Sequence, residues 1–501
     1  MPQFIFLWTD IAIWSMFACA IGYGLYARKS VNLRSTWRRV LTDAPAMCSA
    51  VVLMMFVGIA LIDSIHYRPL LPPADGASAN AAPIYAPIVR SALEGLVDGT
   101  NLTKAERRFS APLATRQFVK ETVLTPSGPV REFRALQYGG RGLSDPDAPR
   151  GLDISIRAGK GLAVGLGLAL ILWLVASAVV ARRRDSWRNA CTDILRNDTS
   201  VPVRAILITA TLMLAVMGVV GGISSGYHVL GTDQTGNDVL WQCLRSIRTA
   251  LVIGSLTTVA MLPPALVLGI SAGYFKGRVD DIIQYIYTTL TSIPSVLLVA
   301  ACVLLLQAFI DNNPDLFPTA AQRADLRLFM LCMILGLTGW SALCRLLRAE
   351  ALKLRELEYI QAAKAFGVSH WTIMLRHILP NVMHIVLITI VLEFSGLVLY
   401  EAVLSYLGIG VDPSTASFGS MIDGSRLDMA RDPMVWWSLL SAFIFMLTLV
   451  LSANLFADAV RAAFDPRSRA FRLPRRRRLP PGGPLANVPV STSSTPSGAA
   501  R

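Results

Sequence analysis

The sequence predicts an all-α integral membrane protein, and three observations predict it. Of 501 residues, 53% are hydrophobic and only 16% charged, with mean hydropathy +0.50, whereas a soluble domain carries about a quarter charged residues. The deficit is uneven: apolar runs of ~20 residues, the length that crosses a ~30 Å hydrocarbon core as a helix, alternate with short basic segments. Those runs also lack the period-2 alternation of a membrane β-barrel. Nine spans follow, near 4–26, 44–65, 160–182, 203–224, 249–274, 282–310, 327–349, 381–403 and 436–460.

The first run has no basic segment before it, and its positive charges come after it, so it reads as a retained anchor and not a signal peptide. Orientation follows from Lys and Arg in the short loops. Arg28, Lys29, Arg34, Arg38 and Arg39 follow the first span; Arg182, Arg183, Arg184 and Arg188 the third; Lys276 and Arg278 the fifth. Arg345, Arg348, Lys353, Arg355, Lys364 and Arg376 surround the loop after the seventh span, and Arg467, Arg469, Arg472 and Arg475–Arg478 follow the ninth. All fall on one side, which predicts the N-terminus outside and the C-terminus in the cytoplasm. The net charge of +14 then belongs to the inner face, where anionic lipids attract it, and implies no nucleic acid.

Three segments are expected. Residues 1–202 form an N-terminal module of three spans with a long outer loop, 66–159. Residues 203–466 hold six spans and most of the motif-like sequence. Residues 467–501, rich in Arg, Pro, Ser and Gly, read as a disordered basic tail. None of the seven cysteines lies in the outer loop, so no disulfide framework is implied. Pro263, Pro264 and Pro294 fall inside spans and predict kinks.

The segment 350–380, between the seventh and eighth spans, has the punctuation of two short helices. The first contains Glu358, Ala362 and Ala363 and ends at Gly367, a residue suited to the left-handed position past a helix C-terminus. Ser369 can cap the second, and Leu379-Pro380 opens the next span. Leu354, Leu357, Ile360 and Phe366 give a helical apolar stripe, with Arg355 and Glu358 to fix register. A surface helix packed on the protein's own inner face would show the same periodicity.

The series Glu358, Ala362, Ala363, Gly367, Leu379, Pro380 resembles the cytoplasmic loop of permease subunits in bacterial ATP-binding-cassette importers. Two further segments resemble the dipeptide, oligopeptide and nickel branch of that family. One runs from His228 through Gly231-Thr232-Asp233 and Gly236 to Asp238, with Asn237 where the branch carries Arg. The other comprises Glu401, Ser405, Gly408, Gly410, Pro413, Phe418 and Gly419, and Asp465-Pro466-Arg467 is similar to the usual ending. The resemblance covers about 203–467 and implies a six-helix permease core to which the first three spans are additional. It also implies that the 350–380 loop couples to two separate ATPase subunits, which bind ATP and Mg, and that a second homologous permease completes a heterodimer. A solute-binding protein would meet the outer mouth at the His228–Asp238 segment, and the cargo would be peptides or similar small solutes. The chain supplies no ATPase site of its own: around Gly159-Lys160-Gly161 the first phosphate-loop glycine is replaced by Ile154, and no hydroxyl follows the lysine.

Several readings stay open at this stage. Gly231 and Gly236 suggest tight turns, with Thr232 or Asp233 capping a helix near 237, and that segment can equally be a capped helix start with no partner. His228 with Asp233 and Asp238 invites a metal reading, although the resemblance assigns no metal. Intramembrane charges are functional candidates: Asp10, Glu393, which either faces the translocation path or pairs with a neighbouring helix, and Glu401, a path candidate better suited to an anchoring hydrogen bond. An ion-coupled secondary carrier, or a membrane sensor using the outer loop, are the rival functions.

Overall fold

The computed structural model describes residues 3–70, 85–86, 88–125, 128–143, 149–182, 187–197, 199–314 and 319–464. The expected tail at 467–501, the Asp465-Pro466-Arg467 ending and Arg183–Arg184 lie outside these residues. The chain opens with β1 (Gln3–Ile5), α1 (Trp8–Lys29), α2 (Val31–Thr42) and α3 (Ala44–Asp63). The next segment carries β2 (His66–Arg68), β3 (Arg90–Ser91), α4 (Ala92–Val97) and the hairpin β4 (Glu121–Thr125) and β5 (Gly128–Glu132). Then come α5 (Arg150–Ala181), α6 (Trp187–Arg196), α7 (Val203–Ser224), α8 (Val239–Phe275), α9 (Arg278–Ser292), α10 (Ser295–Asn312), α11 (Ala320–Gly339) and α12 (Ser341–Arg355). The last elements are α13 (Glu358–Ala365), α14 (His370–Ile373), α15 (Leu379–Tyr406), α16 (Phe418–Met429) and α17 (Trp437–Phe464). Strands β1, β2 and β3 form one antiparallel sheet, with Phe4 opposite Tyr67 and Tyr67 opposite Arg90.

Among the described residues, eight helices are long and apolar enough to span a membrane, and α11 with α12, bent by 41°, supplies a ninth if the pair counts as one. Two expected kinks resolve differently. Helix α8 continues through Pro263 and Pro264, whereas the chain breaks at Ile293-Pro294, both extended, to separate α9 from α10. Helices α5 and α8 each begin about ten residues before the apolar run. Their first turns carry Arg150, Asp153 and Arg157, or Gln242 and Arg245, too polar to read as membrane yet helical in fact.

Helix α8 is the central post, in contact with α3, α11, α12, α15, α16 and α17. Its Cys243, Ile247, Ile253, Ala265 and Ala272 are fully buried. Met1–Phe464 forms one unit, and the helices before residue 202 are packed into it. Helix α5 lies on α7 through paired glycines: a β-carbon on Gly161 would sit 2.1 Å from Gly218 O, and one on Gly222 2.4 Å from Arg157 O. Backbones approach this closely only where side chains are absent. Helix α1 is held by charge: the Arg248 guanidinium on α8 meets Asp10 at 2.5 Å and Asp325 of α11 at 3.9 Å, and His66 Nδ1 lies 2.7 Å from the other Asp10 oxygen. Asp10, flagged as an intramembrane charge, is thus the counter-ion that ties the N-terminal helix to the bundle.

Candidate functional site

The 350–380 segment lies at the end of the bundle away from the strands. Instead of one helix ending at Gly367, the chain makes α12 and α13 with a break at Glu356-Leu357, then turns at Gly367, φ +73°. No atom lies within 4 Å of a β-carbon built there, so the glycine is needed for its backbone conformation and not for space. Ser369 caps α14, its Oγ accepting from Thr372 N–H, as its position suggested. A π-helical turn, Met374–Ile378, joins α14 to α15.

The expected apolar stripe divides here. Ile360 is buried in the bundle with Ile373 and Ile378, and Leu354 and Ala363 pack against them. Phe366 is 87% exposed, Trp371 64% and Leu375 60%, with Leu357 and Tyr359 also open. Leu357 and Phe366 of the expected stripe thus stay open, joined by Tyr359, Trp371 and Leu375, which it did not include. Arg355, expected to set register with a partner, instead donates to Tyr274 O at the end of α8 (2.8 Å). His370 Nδ1 and Tyr274 Oη are 2.8 Å apart, and Lys276 Nζ reaches Glu356 at 2.7 Å and holds its carboxyl below the usual range. Glu358 and Ala362 are exposed, whereas Leu379 is half-buried beside exposed Pro380. Arg348 makes a two-pronged bond to Asp280 (2.5 and 2.7 Å), pinning α12 to the start of α9.

At the strand-bearing end, the His228–Asp238 segment is a double turn with Gly231 and Gly236 at φ +74° and +82°. The helix cap is Asp238, whose carboxylate accepts from Trp241 N–H (3.1 Å). Neither Thr232 nor Asp233 plays that part, a correction to the expected cap. Asp233 accepts from the backbone N–H groups of Thr235 and Asn237, closing the turn on itself. Thr232 is buried: its Oγ1 donates to Arg108 O and accepts from Ser110 N–H. Residues 101–143 thus pack directly on the motif, and a β-carbon at Gly236 would lie 1.9 Å from Glu106 O. Trp437 of α17 donates to Thr232 O and stacks edge-on with Phe118.

Under this cover lies a buried ion cluster. His228 Nδ1 is 2.7 Å from Asp238, its Nε2 is 3.6 Å from Glu106, and all three side chains are at most 2% exposed. Burial opposes a charged imidazole, but the hydrogen bond to Asp238 and the charge of Glu106, an ion pair at 3.6 Å, prevail and push His228 up to about 9. Burial would likewise raise Glu106; the facing His228 and the N–H groups of Gln137, Tyr138 and Gly139 hold it below its ordinary value. The metal reading of His228 with both aspartates does not assemble: among the described residues His228 pairs with Asp238 and Glu106, and Asp233 does not converge with them.

Of the two intramembrane glutamates on α15, Glu401 is 2% exposed and accepts from Ser405 Oγ (2.6 Å). That bond lies within α15, one turn on, and at 2% exposure the carboxyl faces no open space in this conformation, against its place among the path candidates. Glu393 is half-buried and has no hydrogen-bonding or ionic partner among the described residues, so the expected pairing within the chain is not made.

Residues 265–470 match the family described as binding-protein-dependent transport system inner membrane component. The oligopeptide transport system permease protein OppC of Mycobacterium tuberculosis is 33% identical over 245 residues, which is 49% of this chain and 78% of that protein. The chain belongs to this permease family. OppC of Haemophilus influenzae is 28% identical over 301 residues, 57% of this chain and 90% of its own. The dipeptide transport system permease protein DppC of Lactococcus lactis is 29% identical over 241 residues, 48% and 64% of the two chains. This permease is therefore a multi-pass membrane subunit of a binding-protein-dependent transport system, with all-α spans and N-terminal helices beyond the matched region.

Proposed function

We propose that this permease carries peptides or similar small solutes inward by alternating access, driven by ATP hydrolysis on two separate ATPase subunits that hold ATP and Mg. The observation that carries the coupling is the open apolar face of Leu357, Tyr359, Phe366, Trp371 and Leu375 on a segment whose opposite face is locked into the bundle. A rigidly mounted apolar patch rimmed by charge suits docking into a groove, and Glu358, Lys364 and Arg376 stand beside it. Arg355, Ala363 and Leu379 serve the same coupling from beneath, by holding α12, α13 and α15 together. The basic short loops support the N-terminus outside and the C-terminus inside. A second homologous permease completes the path, in a heterodimer, and Glu393, half-open and unpaired, is its candidate polar contact. A solute-binding protein meets the strand-bearing face, where Gln234, Thr235 and Asn237 remain exposed. Peptides are the named cargo of the OppC and DppC relatives, which favours this reading over an ion-coupled carrier.

The test is affinity purification from native membranes of wild type and of a Phe366→Ser/Trp371→Ser variant, with co-purified subunits identified by mass spectrometry. The expected result is an ATPase captured with wild type and lost from the variant, while the second permease stays with both. Equal ATPase capture by a correctly inserted variant, or none by wild type, refutes the coupling assignment.

A further inference from the structure

Two motifs about 170 residues apart in sequence face one cavity at the strand-bearing end. Its walls are the open edge of the Asp233–Asn237 turn, the first turns of α8, the 413–416 loop, α16 and the start of α17. The cavity measures about 470 Å³, within the ~300–1,000 Å³ of small-ligand sites, and its lining is polar where the neighbouring helix surfaces are apolar.

The lining carries charges of both signs. Arg245 on α8 is exposed and has no ionic or hydrogen-bonding partner among the described residues. Asp233 and Asp428 are the acidic members. Asp233 is held in place by backbone N–H groups and by the Gln242 amide, and Asp428, 4% exposed, by Arg431 at 3.1 Å. Both carboxylates line the cavity, and burial, with a smaller part from Asp233, raises Asp428 above its usual value despite Arg431. Ser414, Thr415 and Ser420 add hydroxyl-bearing side chains to the lining.

We propose that this cavity is an entry site for zwitterionic solutes, in which Arg245 takes the carboxylate and the Asp233/Asp428 corner the ammonium group. A guanidinium binds a carboxylate through two parallel N–H donors, and an unpaired arginine beside a carboxylate pair is the complement of a peptide's two ends. The inference rests on the peptide-importer reading and deepens it by assigning a site on the permease itself.

The test uses the complete importer in proteoliposomes with its binding protein. Peptides with free and amidated C-termini are chosen for equal affinity to the isolated binding protein, so that only the permease can tell them apart. Wild type is expected to take up the free acid about tenfold faster than the amide, the worth of one charge-assisted hydrogen bond. Arg245→Gln is expected to erase that preference by slowing only the free acid, and Arg245→Lys to restore part of it, with binding-protein-stimulated ATP hydrolysis within twofold throughout. Equal handling of both peptides by wild type, slowing of both or neither by Arg245→Gln, or loss of stimulated hydrolysis overturns the assignment; the last marks Arg245 as a docking residue. If wild type hydrolyses ATP but takes up no peptide, the peptide reading fails and this site with it.

Discussion

Replacing Glu106 with glutamine tests whether the buried ion cluster holds residues 101–143 on the permease. The carboxylate accepts from Tyr138 N–H (2.7 Å) and Gly139 N–H (3.1 Å) through Oε1, and from Gln137 N–H (3.0 Å) through Oε2. An amide has one acceptor oxygen, so its NH₂ would face at least one of these donors, and the charge opposite His228 is lost. One orphaned buried N–H costs about 1–3 kcal/mol, and the weakening of two charge-assisted bonds adds about 1 kcal/mol. The change therefore costs roughly 2–4 kcal/mol, or about 30- to 1,000-fold in the opening equilibrium. Hydrogen exchange on the protein in nanodiscs reads this directly at residues 106–118 and 135–140, with α8 as the internal reference. The pH dependence has a defined sign. His228 is raised from 6.5 to about 9, so its contribution is complete below about 6.5 and lost as pH rises through about 9. Glu106 is lowered, so its share is present above its ordinary value and lost as pH falls through the depressed one. In Glu106→Gln the alkaline loss of protection should move to lower pH, because the imidazolium has lost one counter-ion. Unchanged protection at these amides, or an alkaline limb that does not move, refutes the cluster as the fastening.

Three other outcomes are expected. Gly218→Val, whose β-carbon would lie 2.3 Å from Gly161 O, should force α5 from α7 and cost about 3 kcal/mol, read as a lower thermal midpoint in detergent; an unchanged midpoint rejects the close approach. Asp10→Asn should cost about 3–5 kcal/mol by leaving the buried Arg248 short of a counter-ion. Arg248→Gln added to it should recover part of that loss in the same assay, and simple additivity rejects the cluster. Gly367→Ala should lose only about 1–2 kcal/mol, the penalty of a β-carbon at positive φ, and still capture the ATPase, since open space surrounds the site; loss of capture would show that more than backbone conformation is at stake.

The spans were legible because burial in lipid demands long apolar runs, and each expected run lies largely on helix, although 282–310 is split between α9 and α10 and 327–349 between α11 and α12. What composition hides is the polar continuation of a helix: α8 begins at Val239 because Asp238 caps it, a detail no hydropathy window can see. In the 350–380 segment the turn at Gly367 and the cap at Ser369 were readable from local chemistry. The direction of Ile360 was not, because a break at Leu357 shifts the helical phase and sends it inward while Phe366 points out. Gly161/Gly165 and Gly218/Gly222, each four apart, were a visible signal of close helix contact that was overlooked. Glu106 had no local signal at all, since its partner His228 lies 122 residues away and only the fold brings them together.

The helix that carries Trp371 and Leu375 does not end at the membrane. From His370 the chain stays helical for 37 residues, through the π turn, to Tyr406. At 1.5 Å per residue, Trp371 and Glu393 stand about 33 Å apart on one rod. On the proposed coupling, a pull at Trp371 reaches Glu393 as a tilt, without passing through any loop: about 10° of rocking moves the far point about 6 Å. The π turn at Met374–Ile378 is a break in the regular hydrogen-bond ladder of this lever, so on the proposed coupling regularising that turn should change the gearing between ATP hydrolysis and transport without weakening either subunit's grip.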